Sequence, residues 1–174
     1  QMAVAILDVI STGSADLEQI GKNFLTWCGS NPPDIGNQTR SVLAAAENSK
    51  DLSAIAAAFL DANPYSAGNG ALMRTAPVPL ACLNDRDEIA QLAESVASLT
   101  HAHPDSVNAC VLWSLAIQTA ITTAEPDKVF DWESAVRNGL EYVVEGQQDR
   151  WDALIAEAII GPPNLFNPNG WVVT

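Results

Sequence analysis

The chain reads as an all-α protein: a compact multi-helix bundle in one domain spanning residues 1–174. Three observations predict this. Apolar residues make up 48% of the chain but aromatic residues only 6%, a balance that suits packed helices better than a disordered or disulfide-stapled chain. Apolar positions recur at three- and four-residue spacing in one segment after another, which places them on one helix face. No segment alternates apolar and polar residues between turn signals, so almost no sheet is expected. With 174 residues the chain is long enough to bury a core. No internal repeat, low-complexity tract or linker divides it.

The first helix occupies about residues 1–10 and ends before Gly13. A second starts near Ser14 or Asp16, sets Leu17, Ile20, Phe24 and Trp27 on one face, and stops at Gly29. Pro32 and Pro33 then forbid helix and stiffen a loop that reaches Gly36. Asn37 or Thr39 restarts a helix to about Ala46, and Asp51 caps another that ends at Phe59 or Leu60. Residues 71–76 form a short apolar helix, which Pro77 and Pro79 bend or break. Asn84 or Asp85 caps the next, which runs to Leu99.

Residues 104–123 follow, with Pro104 in the first turn and Asp105 favourable against the helix dipole. Val107, Cys110, Val111, Leu112, Trp113, Leu115, Ile117 and Ile121 leave this helix only a narrow polar stripe, so it belongs in the middle of the bundle. Asp131 caps a helix ending at Gly146, and another covers residues 149–160. A turn at Asn167-Pro168-Asn169-Gly170 opens one more at Trp171.

Eight Lys and Arg stand against 21 Asp and Glu, a formal charge of −13. Such a field repels nucleic acid and anionic membranes, so neither is an expected partner. A phosphate-bearing ligand must therefore be held by local donors. Cys28, Cys82 and Cys110 are odd in number, lack metal-ligand spacing and sit in apolar helical surroundings. They read as buried reduced thiols and point to a cytoplasmic protein. The apolar run at residues 2–7 is interrupted by Asp8 and follows no basic segment, so it fits neither a signal peptide nor a membrane span. A chain opening at Gln1 inside a helical pattern reads as cut rather than begun.

The densest candidate site is Tyr65-Ser66-Ala67-Gly68-Asn69-Gly70-Ala71-Leu72-Met73-Arg74. Gly68 and Gly70 free the backbone for positive φ and for close approach of another molecule. Asn69 is placed to cap a helix beginning near Gly70, and a glycine turn feeding a helix N-terminus is a natural anion site. A plain loop entering a packed core is the alternative. Arg74, inside an apolar stretch, reads as half of a buried ion pair, with ligand contact as its alternative. Thr100-His101-Ala102-His103-Pro104 holds the only two histidines. His103 is placed to cap the Pro104 helix; His101 either fills a groove or faces a pocket and donates to a ligand.

Ser66-Ala67-Gly68-Asn69-Gly70-Ala71-Leu72-Met73-Arg74-Thr75-Ala76-Pro77 and Leu99-Thr100-His101-Ala102-His103-Pro104 together resemble the ADP-ribosylglycohydrolases. This is the family of the dinitrogenase reductase activating glycohydrolase and the J1 crystallins. Pro32-Pro33-Asp34-Ile35-Gly36-Asn37-Gln38-Thr39-Arg40 and Gly170-Trp171-Val172-Val173 look like the same family's other blocks, in the same order. The resemblance covers the central part of the family's length and is truncated at both ends.

It implies an all-α fold whose cleft holds two magnesium ions and hydrolyses the glycosidic bond between ADP-ribose and a modified side chain. The partner would be an ADP-ribosylated protein or a small ADP-ribose conjugate. The family's metal ligands lie in a Thr-Asp-Asp segment and an Asp-x-Asp-Thr segment, and this sequence has neither. Asp34, Asp61 and Asp105 match no ligand motif, so no metal ligand and no catalytic residue is assigned and the chain alone is expected to be inactive. The likeness places Ser66, Gly68, Asn69, Gly70 and His101 along the diphosphate or distal ribose. A non-catalytic nucleotide-binding protein or a crystallin-like structural protein is the alternative.

Overall fold

A computed structural model describes residues 1–161. Among the described residues there are eight α-helices and no strand: α1 Met2–Ile10, α2 Leu17–Gly29, α3 Asn37–Ala45, α4 Leu52–Ala62, α5 Arg86–Ser98, α6 Pro104–Thr123, α7 Trp132–Arg137 and α8 Gln148–Ile160. Short 3-10 turns at Ser49–Asp51, Leu72–Arg74, Val78–Ala81 and Leu140–Tyr142 join them. The all-α bundle expected from the apolar periodicity is therefore present. The turn and helix start expected at residues 167–171 lie outside the described residues.

Helix starts follow side-chain chemistry. Asp16 accepts from the N–H groups of Glu18 (2.8 Å) and Gln19 (3.1 Å) at the head of α2. Asp85 accepts from Glu88 N–H at 3.0 Å to open α5, and Asp131 does the same for α7 through Ser134. Each such cap contributes about 1 kcal/mol by giving an otherwise unpaired donor a partner. His103 caps α6, its Nδ1 accepting from Asp105 N–H at 3.1 Å, as its place before Pro104 suggested.

One core joins these helices. Ile6 of α1, Ile20 and Phe24 of α2, Leu52 of α4, Ile89 of α5 and Leu115 of α6 are all fully buried in a single apolar cluster. The α5–α6 pair is the most extensive helix contact in the bundle. α6 is buried along most of its length, while Trp113 on its outer side stacks on Trp132 of α7 with ring centroids 5.3 Å apart. Among the described residues no helix is long and apolar enough to cross a membrane.

Three local expectations are corrected. The helix from Asp131 stops at Arg137 instead of continuing to Gly146. Asn138 and Gly139, residues that commonly end helices, follow its last turn, and Gly139 lies against α6, where an added Cβ would be 3.1 Å from Leu112 Cδ2. Residues 71–76 form no α-helix but a 3-10 turn, Leu72–Arg74, because Pro77 would clash with the carbonyl four residues back in an α-helix. Asp51 does not cap α4 with its side chain. Asn48 caps the preceding 3-10 turn through Lys50 N–H at 2.9 Å, and the Asn48 amide donates to Asp51 at 2.6 Å.

Candidate functional site

A cavity of about 380 Å³ opens where five segments meet: the start of α1, Trp27 of α2, the first turn of α3, the glycine segment, and the α5–α6 connection. Gly68, Asn69, Gly70 and His101 all line it. Asp34 and Gly36 line it too, so the proline loop forms part of the rim. Ser66 is not among the lining residues; its Oγ is buried with no hydrogen-bond partner among the described residues.

The glycines are needed here for a reason other than the one read from sequence. Neither Gly68 nor Gly70 has positive φ; Gly13 and Gly146 do. Nor does Asn69 cap an α-helix, since only the Leu72–Arg74 3-10 turn follows, with no side-chain cap. What approaches the backbone closely is the His101 ring. A Cβ on Gly70 would stand 3.0 Å from both Cε1 and Nε2 of His101 and 3.1 Å from Thr39 Oγ1. A Cβ on Gly68 would lie 3.0 Å from Gln38 Oε1 and 3.4 Å from His101 Nε2.

Ser106 donates to the Gly68 carbonyl at 2.9 Å, which pins this segment to α6. His101 and Thr39 are both buried and have little room to move. Gly70→Ala is therefore expected to cost about 1–3 kcal/mol through overpacking. The midpoint of urea unfolding should fall at unchanged slope.

Arg74 lines the cavity, is 2% exposed, and has no carboxylate partner among the described residues. The expected ion pair is absent among the described residues. Its Nη2 donates instead to the Val96 carbonyl (3.1 Å) and to Thr100 Oγ1 (2.7 Å). Its Nη1 lies 3.8 Å from Met2 Sδ, and its Cζ sits 4.5 Å from the centroid of the Phe24 ring. Burial lowers the guanidinium to about 10, still cationic at neutral pH. A cation on a π-face with two oxygen acceptors is a weaker arrangement than an ion pair, and Nε has no partner.

His101 is 1% exposed, and its Nδ1 lies 2.7 Å from Thr100 Oγ1. Burial first, and the nearby Arg74 charge second, push it down to about 3, so the ring is neutral at pH 7. The two sequence alternatives for His101 turn out to be compatible: it fills a groove and it lines the cavity.

The first turn of α3 supplies what the glycine segment lacks. Gly36, Asn37, Gln38 and Thr39 line the cavity, and Gly36 provides no side-chain cap. The N–H groups of Asn37, Gln38 and Thr39 make no hydrogen bond among the described residues. Gln38 Nε2 donates to the Thr100 carbonyl at 3.3 Å and ties α3 to the His101 segment. The helix start expected at Asn37 is present, but the sequence assigned the anion-site helix end to Gly70, where no α-helix begins.

Cys82 and Cys110 are pushed up to about 11, chiefly by burial, so neither is a thiolate nucleophile at neutral pH. The three carboxylates singled out in sequence do not converge. Asp34 stands on the cavity rim, Asp61 is exposed outside the cavity, and Asp105 is held by Arg150 through bonds of 2.6 and 2.9 Å. Among the described residues no three His, Cys, Asp or Glu side chains are grouped to hold a metal ion. A magnesium pair does not fit the described residues.

The all-α bundle matches what the sequence blocks led us to expect. The model of the ADP-ribosylglycohydrolase family matches residues 1–174, and the chain belongs to that family. It is similar to the ADP-ribosyl-[dinitrogen reductase] glycohydrolase of Rhodospirillum rubrum, 31% identical over 115 residues. That match covers 64% of this chain and 36% of the relative, so the chain spans about a third of the relative's length. No solved structure matches it.

Proposed function

We propose that this chain carries the ADP-ribose-binding cleft of a glycohydrolase that acts on the bond between ADP-ribose and a modified side chain. The observation that carries the proposal is the meeting of Gly68, Asn69, Gly70 and His101 with the uncapped first turn of α3 around one cavity. Unpaired N–H groups at a helix N-terminus favour a diphosphate through both hydrogen bonds and the helix dipole. The chain's charge of −13 makes such local donors necessary. Asn69 and His101 contribute side-chain donors to phosphate or ribose oxygens. The ADP-ribosylated partner, protein or small conjugate, would lie beyond the rim at Asp34.

The family implies magnesium. Among the described residues no three His, Cys, Asp or Glu side chains form a metal donor set, and binding rather than turnover is the discriminating assay. The same observation favours a second reading, a cleft that binds ADP-ribose without cleaving its conjugates.

Isothermal titration with ADP-ribose should show saturable binding. Ligand at one hundred times Kd should stabilise the fold by about 2.7 kcal/mol. His101→Ala and Asn69→Ala should each weaken binding about 10- to 100-fold, as expected for losing a hydrogen bond to a charged ligand. A melting temperature unmoved by millimolar ADP-ribose would sink the proposal and leave a structural, crystallin-like role.

A further inference from the structure

We infer that Arg74 and Thr100 act as a positioning pair that locks His101 in its Nε2–H tautomer, so that the cleft meets its ligand with a fixed neutral donor. The inference follows from counting protons. Thr100 Oγ1 lies 2.7 Å from Arg74 Nη2 and 2.7 Å from His101 Nδ1. A guanidinium only donates, so the threonine oxygen accepts from Arg74. The oxygen has a second lone pair that could accept from a protonated Nδ1. The hydroxyl's own proton would then be buried without an acceptor, because Thr100 is fully buried and His101 Nδ1 is its one remaining partner within reach among the described residues. Nδ1 is therefore an acceptor and carries no proton. In a neutral imidazole the proton then sits on Nε2.

Nε2 is on the edge of the ring that faces Gly68 and Gly70, where an added Cβ would come within 3.4 and 3.0 Å of it. It makes no hydrogen bond to any described residue, and His101 lines the cavity. The donor that Nε2–H presents suits a phosphate, hydroxyl or carbonyl oxygen and repels a ligand N–H at the same spot. The Arg74 charge enforces the arrangement twice. It orients the threonine hydroxyl, and its field opposes a second proton on the ring.

The assignment of the tautomer is independent of what binds. Only its use by a ligand rests on the ADP-ribose reading.

Long-range proton–nitrogen correlation spectra of the 15N-labelled chain test it directly, since only two histidines are present. The expected pattern for His101 at pH 7 is a protonated Nε2 and an unprotonated, acceptor-type Nδ1. Thr100→Ser keeps the hydroxyl and should keep that pattern, with ADP-ribose affinity within about twofold of the parent. Thr100→Val keeps the shape but removes the donor, so the Nδ1–H form should appear and affinity should fall about tenfold.

An Nδ1–H or doubly protonated ring in the parent chain overturns the inference, whether or not the variants fold. So does a Thr100→Val spectrum identical to the parent's. If the tautomer pattern and its loss in Thr100→Val are seen but no form binds ADP-ribose, the positioning pair stands and the ligand assignment falls.

Discussion

Phe24→Ala is expected to destabilise the chain by about 3–5 kcal/mol, a large share of what holds a domain of this size folded. Phe24 is fully buried in the main core on the inner face of α2, so truncation leaves a cavity that the surrounding helices fill only partly. A second loss is specific to this site. The ring offers its π-face to a buried guanidinium that has no carboxylate partner among the described residues, with Arg74 Cζ 4.5 Å from its centroid. A desolvated cation on an aromatic face is worth about 2 kcal/mol.

Phe24→Leu separates the two losses. It keeps most of the apolar volume, which alone would cost under about 1.5 kcal/mol, and removes the π-face. We expect it to cost about 2–3 kcal/mol in urea unfolding. The excess should vanish when Phe24→Leu is measured in an Arg74→Met background, because the double-mutant cycle removes the shared term. Additive single and double mutants would show that Arg74 draws nothing from the ring.

How much of this was legible in the sequence depended on whether the cause was local. The heads of α2, α5 and α6 were readable because Asp16, Asp85 and the His103-Pro104 pair act within a few residues of themselves. The close approach of Gly139 to Leu112 was not, since it depends on another helix, although Asn138-Gly139 is itself a local stop signal. The candidate site shows the same division. Its glycines stood out, but their spacing suggested turn geometry, whereas their neighbour is a ring that lies some thirty positions along the chain.

Arg74 was read as half of an ion pair in a chain with 21 acidic residues. No local pattern says that Phe24, Val96 and Thr100 will surround it instead. Thr100, Gln38 and Thr39 went unassigned for the same reason. The helix start at Asn37 was readable, but that its uncapped end behind Gly36 faces the cavity depends on the segments packed around it and was not.

The second large effect is on pH dependence. The His101 value falls from 6.5 to about 3 in the folded chain, because burial disfavours the imidazolium and Arg74 repels it. Between those two values the unfolded chain binds the proton and the folded chain does not, so stability rises with pH across that window. The contribution is fully present above pH 6.5 and is lost progressively as pH falls towards 3.

From pH 7.5 to pH 4.5 the loss from this one residue is about 2–3 kcal/mol, taking 1.36 kcal/mol per unit. Carboxylates held low by a partner, such as Asp105 beside Arg150, lose their contribution mainly at still lower pH. His101→Asn offers Oδ1 to the Thr100 hydroxyl but cannot take up a proton. Its unfolding free energy should therefore change by less than about 0.5 kcal/mol over the same interval. His103 is common to both proteins, so the difference in slope isolates His101. Parallel slopes would mean that the folded chain accommodates the imidazolium, and that the Arg74–Thr100 contact does not hold the ring neutral.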